Sequence, residues 1–345
     1  MGDLKLQNVT IAYGPRMIIQ GLSLAVHDGE MVSLLGPSGA GKTTILKAIS
    51  GLLKPDGGDI LIDGRSVTDL APENRDAVMV FQKPLLFPFM NVAQNIGFGL
   101  RMLRFTKSET RRRVARILAL TRLEGLEFRK VHELSGGQQQ RAALARALVL
   151  EPSILLLDEP LSNLDANLRQ RMRDLIQSIQ TETRMTMVFV THDQSEALMI
   201  SHRVALLLDG RLRQVGTPRQ LFYEPIDPDV ARFFGGRNFF QGRVENGLLR
   251  SDLGVFPVGR QDGNGHLRMA TIRPEDIEIA PLGKSANGGL TGRIVKTNFE
   301  GSAIRHVVTT TAGELMVLTT QDRFAPGQEV ALTVSPDKIR LFPKS

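Results

Sequence analysis

The stretch "LLGPSGAGKTT", residues 34 to 44, limits what this chain can fold into more than any other, because it fits G-x-x-x-x-G-K-[ST] from Gly36 to Thr43. An apolar run enters it and a helix-forming run, "TTILKAISG", leaves it. A strand feeding a glycine loop and then a helix leaves backbone N–H groups directed into one hollow, where the positive end of the helix favours phosphate oxygens. The candidate nucleotide contacts are therefore Gly36, Pro37, Ser38, Gly39, Ala40, Gly41, Lys42, Thr43 and Thr44. Lys42 reaches the β- and γ-phosphates and the Thr43 hydroxyl takes a place on Mg²⁺.

"SILLLDEP", residues 153 to 160, supplies a second part of such a site: a buried strand ending in two adjacent carboxylates. Neighbouring side chains of a strand point to opposite faces, so Asp158 and Glu159 serve one task only if the strand stops there and the chain turns. Pro160 is the residue expected to supply the stop. Asp158 then holds Mg²⁺ through its water shell, and Glu159 polarises the water that attacks the γ-phosphorus.

Around these segments the chain alternates short apolar runs with helical patterns up to about residue 235, which predicts a parallel sheet covered by helices. The expected strands are "MVSLLG" (31 to 36), "AVMVFQ" (77 to 82), "SILLLD" (153 to 158), "TMVFVTH" (186 to 192) and "RVALLLDG" (203 to 210). "LKLQNVTIAYG" and "LSLAVHDGE" read instead as antiparallel strands, and 87 to 150 reads as a helical insertion. After "FFGGRN", residues 236 to 345 become short strand-like runs punctuated by glycine, proline and asparagine, which favours a small β-barrel. A chain of 345 residues has room for both domains.

Composition excludes several functions. There is no cysteine, hence no disulfide and no thiolate metal site, and the chain suits a reducing compartment. The opening "MGDLKLQNVTIAYG" alternates like a strand and lacks the apolar core of a signal peptide, and no uncharged apolar run approaches the roughly 18 residues of a membrane span. A soluble chain is expected. Residues 1–235 hold 29 Lys and Arg against 25 Asp and Glu, net +4, and residues 236–345 hold 14 against 11, net +3. That excess is thin, and the tail has neither Trp nor Tyr to stack on bases, so no nucleic-acid partner is expected. The one dense cluster, "RMLRFTKSETRRRVAR" at 101 to 116, has seven basic residues against Glu109 and reads as a solvated helix face or a contact with a membrane surface or acidic partner.

A Ser-Gly-Gly turn in "ELSGGQQQRAALARAL", 133 to 148, precedes another helix, yet no lysine follows to grip a phosphate. Read in order, "LLGPSGAGKTT", "VFQ", "LSGGQQQR", "ILLLDEP", "SNLD" and "THD" resemble the ATP-binding cassette ATPases over residues 1 to 235. The resemblance implies an α/β P-loop NTPase with an antiparallel β subdomain and a helical insertion, followed by a small all-β, OB-like barrel. It implies ATP and Mg²⁺ as cofactors. It further implies that Gln82 links Mg²⁺ and the attacking water to the helical insertion, that His192 contacts the γ-phosphate, and that Tyr13 stacks on adenine. Two cassettes of the family pack head to tail, so Ser135, Gly136, Gly137 and Gln138 close over the nucleotide of the partner and Asp165 lies across the interface. With one cassette per chain, the partner is a second copy.

Among such families the chain is similar to the ATPase subunits of bacterial binding-protein-dependent importers for polyamines, ferric iron, phosphonate, sulfate or sugars. "LLFPFMNVAQNIGFGL", "THDQSEALMISHRVALLLDGRLRQVGTPRQLFYEP" and "IRPEDI" carry that likeness, and the tail resembles the accessory TOBE-like barrel of the group. Three positions depart from it: Phe89 replaces a common histidine, Val131 a common proline and His202 the usual aspartate. The resemblance implies a homodimer at the cytoplasmic face of the inner membrane, two permease subunits, and an extracytoplasmic solute-binding protein reached through the complex. A polyamine-like solute is the expected cargo. A soluble regulatory ATPase and a nucleic-acid ATPase are the rival readings.

Overall fold

The computed structural model describes residues 2–258, 265–282 and 290–342. They form two units, Met1–Arg219 and Gln220–Ser345.

In the first unit the apolar runs become one six-stranded sheet, in the order Arg211–Gly216, Arg203–Leu208, Met31–Leu35, Thr186–Thr191, Ile154–Asp158 and Ala77–Val80. The first pair is antiparallel and the remaining pairs are parallel. Every residue of Met31–Leu35, Ile154–Asp158 and Thr186–Thr191 is buried, as expected for parallel strands covered on both faces. The pleat divides them between two cores. Leu155, Leu157, Met187 and Phe189 pack on one side with Leu144, Leu148, Ile176 and Ile179. Ile154, Leu156, Val188 and Val190 pack on the other with Leu4, Leu6, Ile60 and Ile62.

That second core is roofed by a four-stranded antiparallel sheet, in the order Arg16–Val26, Leu4–Tyr13, Gly57–Ile62 and Arg65–Ser66. The first core is covered by helices, including Val92–Ile96, Phe98–Met102, Lys107–Leu120 and Gly136–Leu148 from the stretch between two sheet strands. Parallel order has a consequence for chemistry. It brings the carboxyl ends of Met31–Leu35, Thr186–Thr191, Ile154–Asp158 and Ala77–Val80 side by side, and the chain leaves each of them into a candidate site segment.

Among the described residues of the second unit all strand pairs are antiparallel, in two five-stranded sheets. One has the order Gly254–Pro257, Leu248–Ser251, Asn238–Glu245, Leu267–Ile272 and Ile339–Leu341; the other has Ile277–Pro281, Glu329–Val334, Leu290–Phe299, Ile304–Thr310 and Gly313–Thr319. The Asn238 side chain joins them, donating to the Met316 carbonyl at 2.8 Å and accepting from the Met316 amide at 2.7 Å. The unit begins 16 residues before the boundary expected at 235/236. Within this unit the Arg273 guanidinium lies 3.6 Å from the Phe222 ring centroid and donates to the carbonyls of Phe222 and Phe234. Such long-range ties draw the segment 220–235 to the β strands.

Candidate functional site

The loop after Met31–Leu35 is held open by glycine. A Cβ on Gly36 would lie 2.2 Å from the Leu207 carbonyl oxygen of the neighbouring strand, and one on Gly41, at φ +97°, would lie 2.5 Å from Ile19 Cδ1. Gly41 also caps the helix Lys42–Ile49 without any side-chain hydrogen bond, so the first amides of that helix have no side-chain acceptor. The Lys42 side chain folds back over this turn: Nζ donates to the carbonyls of Gly36 at 2.8 Å and Pro37 at 2.9 Å. Burial lowers the Lys42 ammonium below its usual value, and the charges of Glu159 and Asp158 oppose that drop.

Thr43 Oγ1 donates to Asp158 Oδ1 at 2.8 Å across the two strand ends. Asp158 is buried, which pushes its carboxyl up, against the pull of Thr43, Lys47 and Lys42 and with a further push from Glu159. Among the described residues no group of three His, Asp or Glu side chains could hold a metal alone. One carboxylate and one hydroxyl, both hard oxygen donors, instead fit Mg²⁺, which takes one or two protein oxygens and fills its remaining positions with phosphate and water.

The strand does end at Asp158, but the turn is made by Glu159 itself, in the left-handed region at φ +43°, with its amide donating to the Val190 carbonyl at 3.0 Å. Pro160, expected to provide the stop, only follows it. The turn frees the Glu159 carboxylate from the sheet, where His192 Nδ1 lies 3.2 Å from its Oε2 and Gln82 Nε2 donates to the same oxygen at 3.5 Å. Gln82 also donates to Ser162 Oγ at 3.0 Å, and that hydroxyl donates to the Glu159 carbonyl at 3.0 Å. Ser162 belongs to the quoted "SNLD" run but carries no role in the sequence reading; only its spatial meeting with Gln82 gives it one.

The remaining candidates stand apart. Ser135 caps the helix Gly136–Leu148 in a reciprocal box with Gln138, whose amide donates to Ser135 Oγ at 3.3 Å while its side chain accepts from the Ser135 amide at 2.8 Å. Asp165 caps Ala166–Thr183, accepting from the Leu168 amide at 2.9 Å. Tyr13 ends its strand and is 51% exposed. Among the described residues no hydrogen bond or ion pair connects these three places to Lys42, Asp158 or Glu159. Of the positions that depart from the importer pattern, His202 has a clear structural use: its Nδ1 accepts from the Met31 amide at 2.9 Å and fixes the start of the loop-bearing strand.

A lysine loop at one strand end, a carboxylate bound to its threonine at a second and a freed glutamate beside a histidine at a third define a P-loop nucleotide hydrolase. The family profile described as ABC transporter matches residues 19–162, and that described as TOBE domain matches 270–342. The chain is 44% identical over 283 residues to the "Fe(3+) ions import ATP-binding protein FbpC" of Escherichia coli K12, covering 82% of this chain and 81% of that one. It is 43% identical over 314 residues to the "Spermidine/putrescine import ATP-binding protein PotA" of Marinobacter nauticus, covering 88% and 84%. Among solved structures it matches a dimeric post-hydrolysis state of the ATP-binding cassette MJ0796 bound to ADP and Pi, with TM-score 0.56, 34% identity, and 63% of this chain covering 99% of that one. The chain belongs to the ABC transporter family, as an ATPase that uses ATP with Mg²⁺.

Proposed function

We propose that this chain is the ATP-hydrolysing subunit of an importer for a small cationic solute, working as a homodimer beneath two permease subunits at the cytoplasmic face of the inner membrane. The convergence of Lys42, Thr43, Asp158, Glu159, His192 and Gln82 at neighbouring strand ends carries the reading. Lys42 binds the β- and γ-phosphates, exchanging its bonds to the loop carbonyls for stronger charged ones. Backbone groups of 36–44 cradle the phosphates and Tyr13 stacks on the base. Thr43, Asp158 and Gln82 would hold Mg²⁺, which would supply positive charge to offset that of the phosphate oxygens. Glu159 accepts a proton from the attacking water, and His192 orients that water against the γ-phosphate.

Ser135, Gly136, Gly137, Gln138 and Asp165 serve the nucleotide of the second copy, which accounts for their isolation from Lys42 within one chain. A dimeric ATP-binding cassette among the similar structures supports this. Contact with the permeases falls to the helical insertion. There Phe87, Phe98 and Leu150, with Leu85 just ahead of the insertion and three residues after Gln82, line an apolar cavity of about 390 Å³, and Arg146 donates to the Leu85 carbonyl at 2.6 Å. Similar proteins are named for importing ferric ions or the polyamines spermidine and putrescine, which supports a cationic cargo; an extracytoplasmic binding protein would deliver it.

The test is to purify the full chain from detergent-solubilised membranes and to measure uptake of radiolabelled putrescine and of ferric ion by the complex in vesicles. Co-purifying permeases and ATP-dependent uptake, abolished by Glu159→Gln, are expected. A chain that leaves the membrane alone and is stimulated by DNA or RNA would overturn the importer reading.

A further inference from the structure

Behind the site lies a carboxylate that the chemistry described so far does not use. Glu196 has a side chain only 7% exposed, in the helix Gln194–Ile200 that follows His192. A carboxylate so enclosed is costly unless both oxygens are answered. Oε2 accepts from Thr191 Oγ1 at 2.6 Å. The same hydroxyl accepts from the Asp193 amide at 3.0 Å, so one side chain grips the backbone on both flanks of His192. Oε1 faces Arg169 Nε at 3.7 Å, and Arg169 Nη2 donates to the carbonyl of Leu164, next to Asp165, at 3.2 Å.

The ion pair is slack. Arg169 Nε is buried and has no hydrogen-bond partner, and 3.7 Å exceeds a charged N–H···O bond by about 0.8 Å. Burial pushes the Glu196 carboxyl up, Asp193 adds to that push, and Thr191, Arg169 and His192 oppose it. Arg169 is thus shared between the Leu164 carbonyl and Glu196, and a closer approach of its guanidinium would stabilise the charged carboxylate.

We propose that Arg169 and Glu196 are positioning residues that tie the backbone beside Asp165 to the loop presenting His192, so that pairing of two copies is transmitted to the histidine. The proposal rests on the roles given above to Asp165 at the interface and to His192 at the reacting phosphate. Tightening of the pair holds Thr191 and Asp193, and hence the imidazole between them, in place against Glu159.

The test is a mutant cycle on the full chain, with ATP hydrolysis followed by single-turnover kinetics for slow variants. Glu196→Gln, which keeps an acceptor for Thr191, and Arg169→Gln should each lower kcat roughly tenfold and leave KM for ATP within about twofold, as expected when only the placing of a group is lost. In a His192→Ala background neither should lower kcat further. Additive losses in the double variants, or a loss that affects kcat, KM and Tm together, would show that the pair only supports the fold and would overturn the proposal. Should His192→Ala be slow while Glu196→Gln runs at the normal rate, the positioning role alone fails. Should His192→Ala itself hydrolyse ATP normally, the role of His192 fails and this proposal with it.

Discussion

The helix that begins at Lys42 follows a glycine loop, whereas the helix that begins at Gly136 is capped by Ser135 and opens on two glycines of its own; both present amides that suit a phosphate. Their surroundings differ. The first has no side-chain cap, a lysine drawn over the loop and two carboxylates at hand. The second closes on itself through the Ser135–Gln138 box, and among the described residues no lysine and no carboxylate is bound to it. One end is equipped for chemistry and the other only for contact. This asymmetry is what a site shared between two chains would require.

The largest effect is expected at Glu159. Glu159→Gln keeps the size of the side chain and removes the proposed proton acceptor, so hydrolysis should fall about 10²-fold or more while ATP still binds. Radiolabelled phosphate release and nucleotide titration measure the two separately, and size-exclusion chromatography should show an ATP-bound dimer. Normal turnover would remove Glu159 from its role.

Lys42→Ala and Ser135→Arg should separate the two helix ends. Lys42→Ala weakens ATP binding by the single chain, because the charge on the β- and γ-phosphates is gone. Ser135→Arg should leave that binding intact and block closure of the proposed dimer; arginine is a good helix former, so the helix behind it should persist. Mixing the two variants gives heterodimers in which one site carries both defects and the other carries neither. Each variant alone should occlude little ATP, and the mixture should recover a substantial fraction of one nucleotide per heterodimer. No recovery, with heterodimers shown to form and with single-site occlusion established in a linked dimer, would place Ser135 with its own chain's nucleotide.

A smaller effect tests the division of the chain. A truncation ending at Arg219 should keep the fold of the first unit and its ATP affinity, since every group that meets Lys42 lies before it. One ending at Gly235 keeps a segment whose partner Arg273 is missing, and it should be the more protease-sensitive of the two. Limited proteolysis and nucleotide titration of both measure this. Greater sensitivity in the shorter chain would move the boundary back to 235.

How far the sequence could be read follows the same contrast. Strands such as Ile154–Asp158 and Thr186–Thr191 are legible because a parallel strand buried on both faces is an unbroken apolar run. The strand end at Asp158 is legible too, since two adjacent acids cannot both stay in a sheet interior. Which residue makes the turn is not, because Pro160 is the more obvious breaker and the left-handed φ of Glu159 depends on its anchoring to Val190. Contacts set by distant segments leave no local pattern: Ser162 on Gln82, Glu196 on Arg169, His202 on the Met31 amide, and Arg273 on Phe222 each join positions whose spacing follows no helix or strand period.

At the other end of the nucleotide a weaker effect is expected. Tyr13 pairs with Arg16 across the hairpin at the end of Leu4–Tyr13 and is half exposed, without an aromatic neighbour among the described residues. A tyrosine needed for the core would be enclosed, so Tyr13→Ala should leave Tm nearly unchanged. If the ring stacks on adenine, ATP affinity should fall by about 1–3 kcal/mol, the range seen for base stacking on aromatic side chains, and Tyr13→Phe should retain most of it. Inorganic tripolyphosphate has no base and meets only the loop and Lys42, so its affinity should be the same for Tyr13→Ala and the unaltered chain. Calorimetric titration of both ligands separates the two contributions. Equal losses for ATP and tripolyphosphate would show that Tyr13 acts through the shape of the phosphate loop, and unchanged affinity for both would take it out of the site.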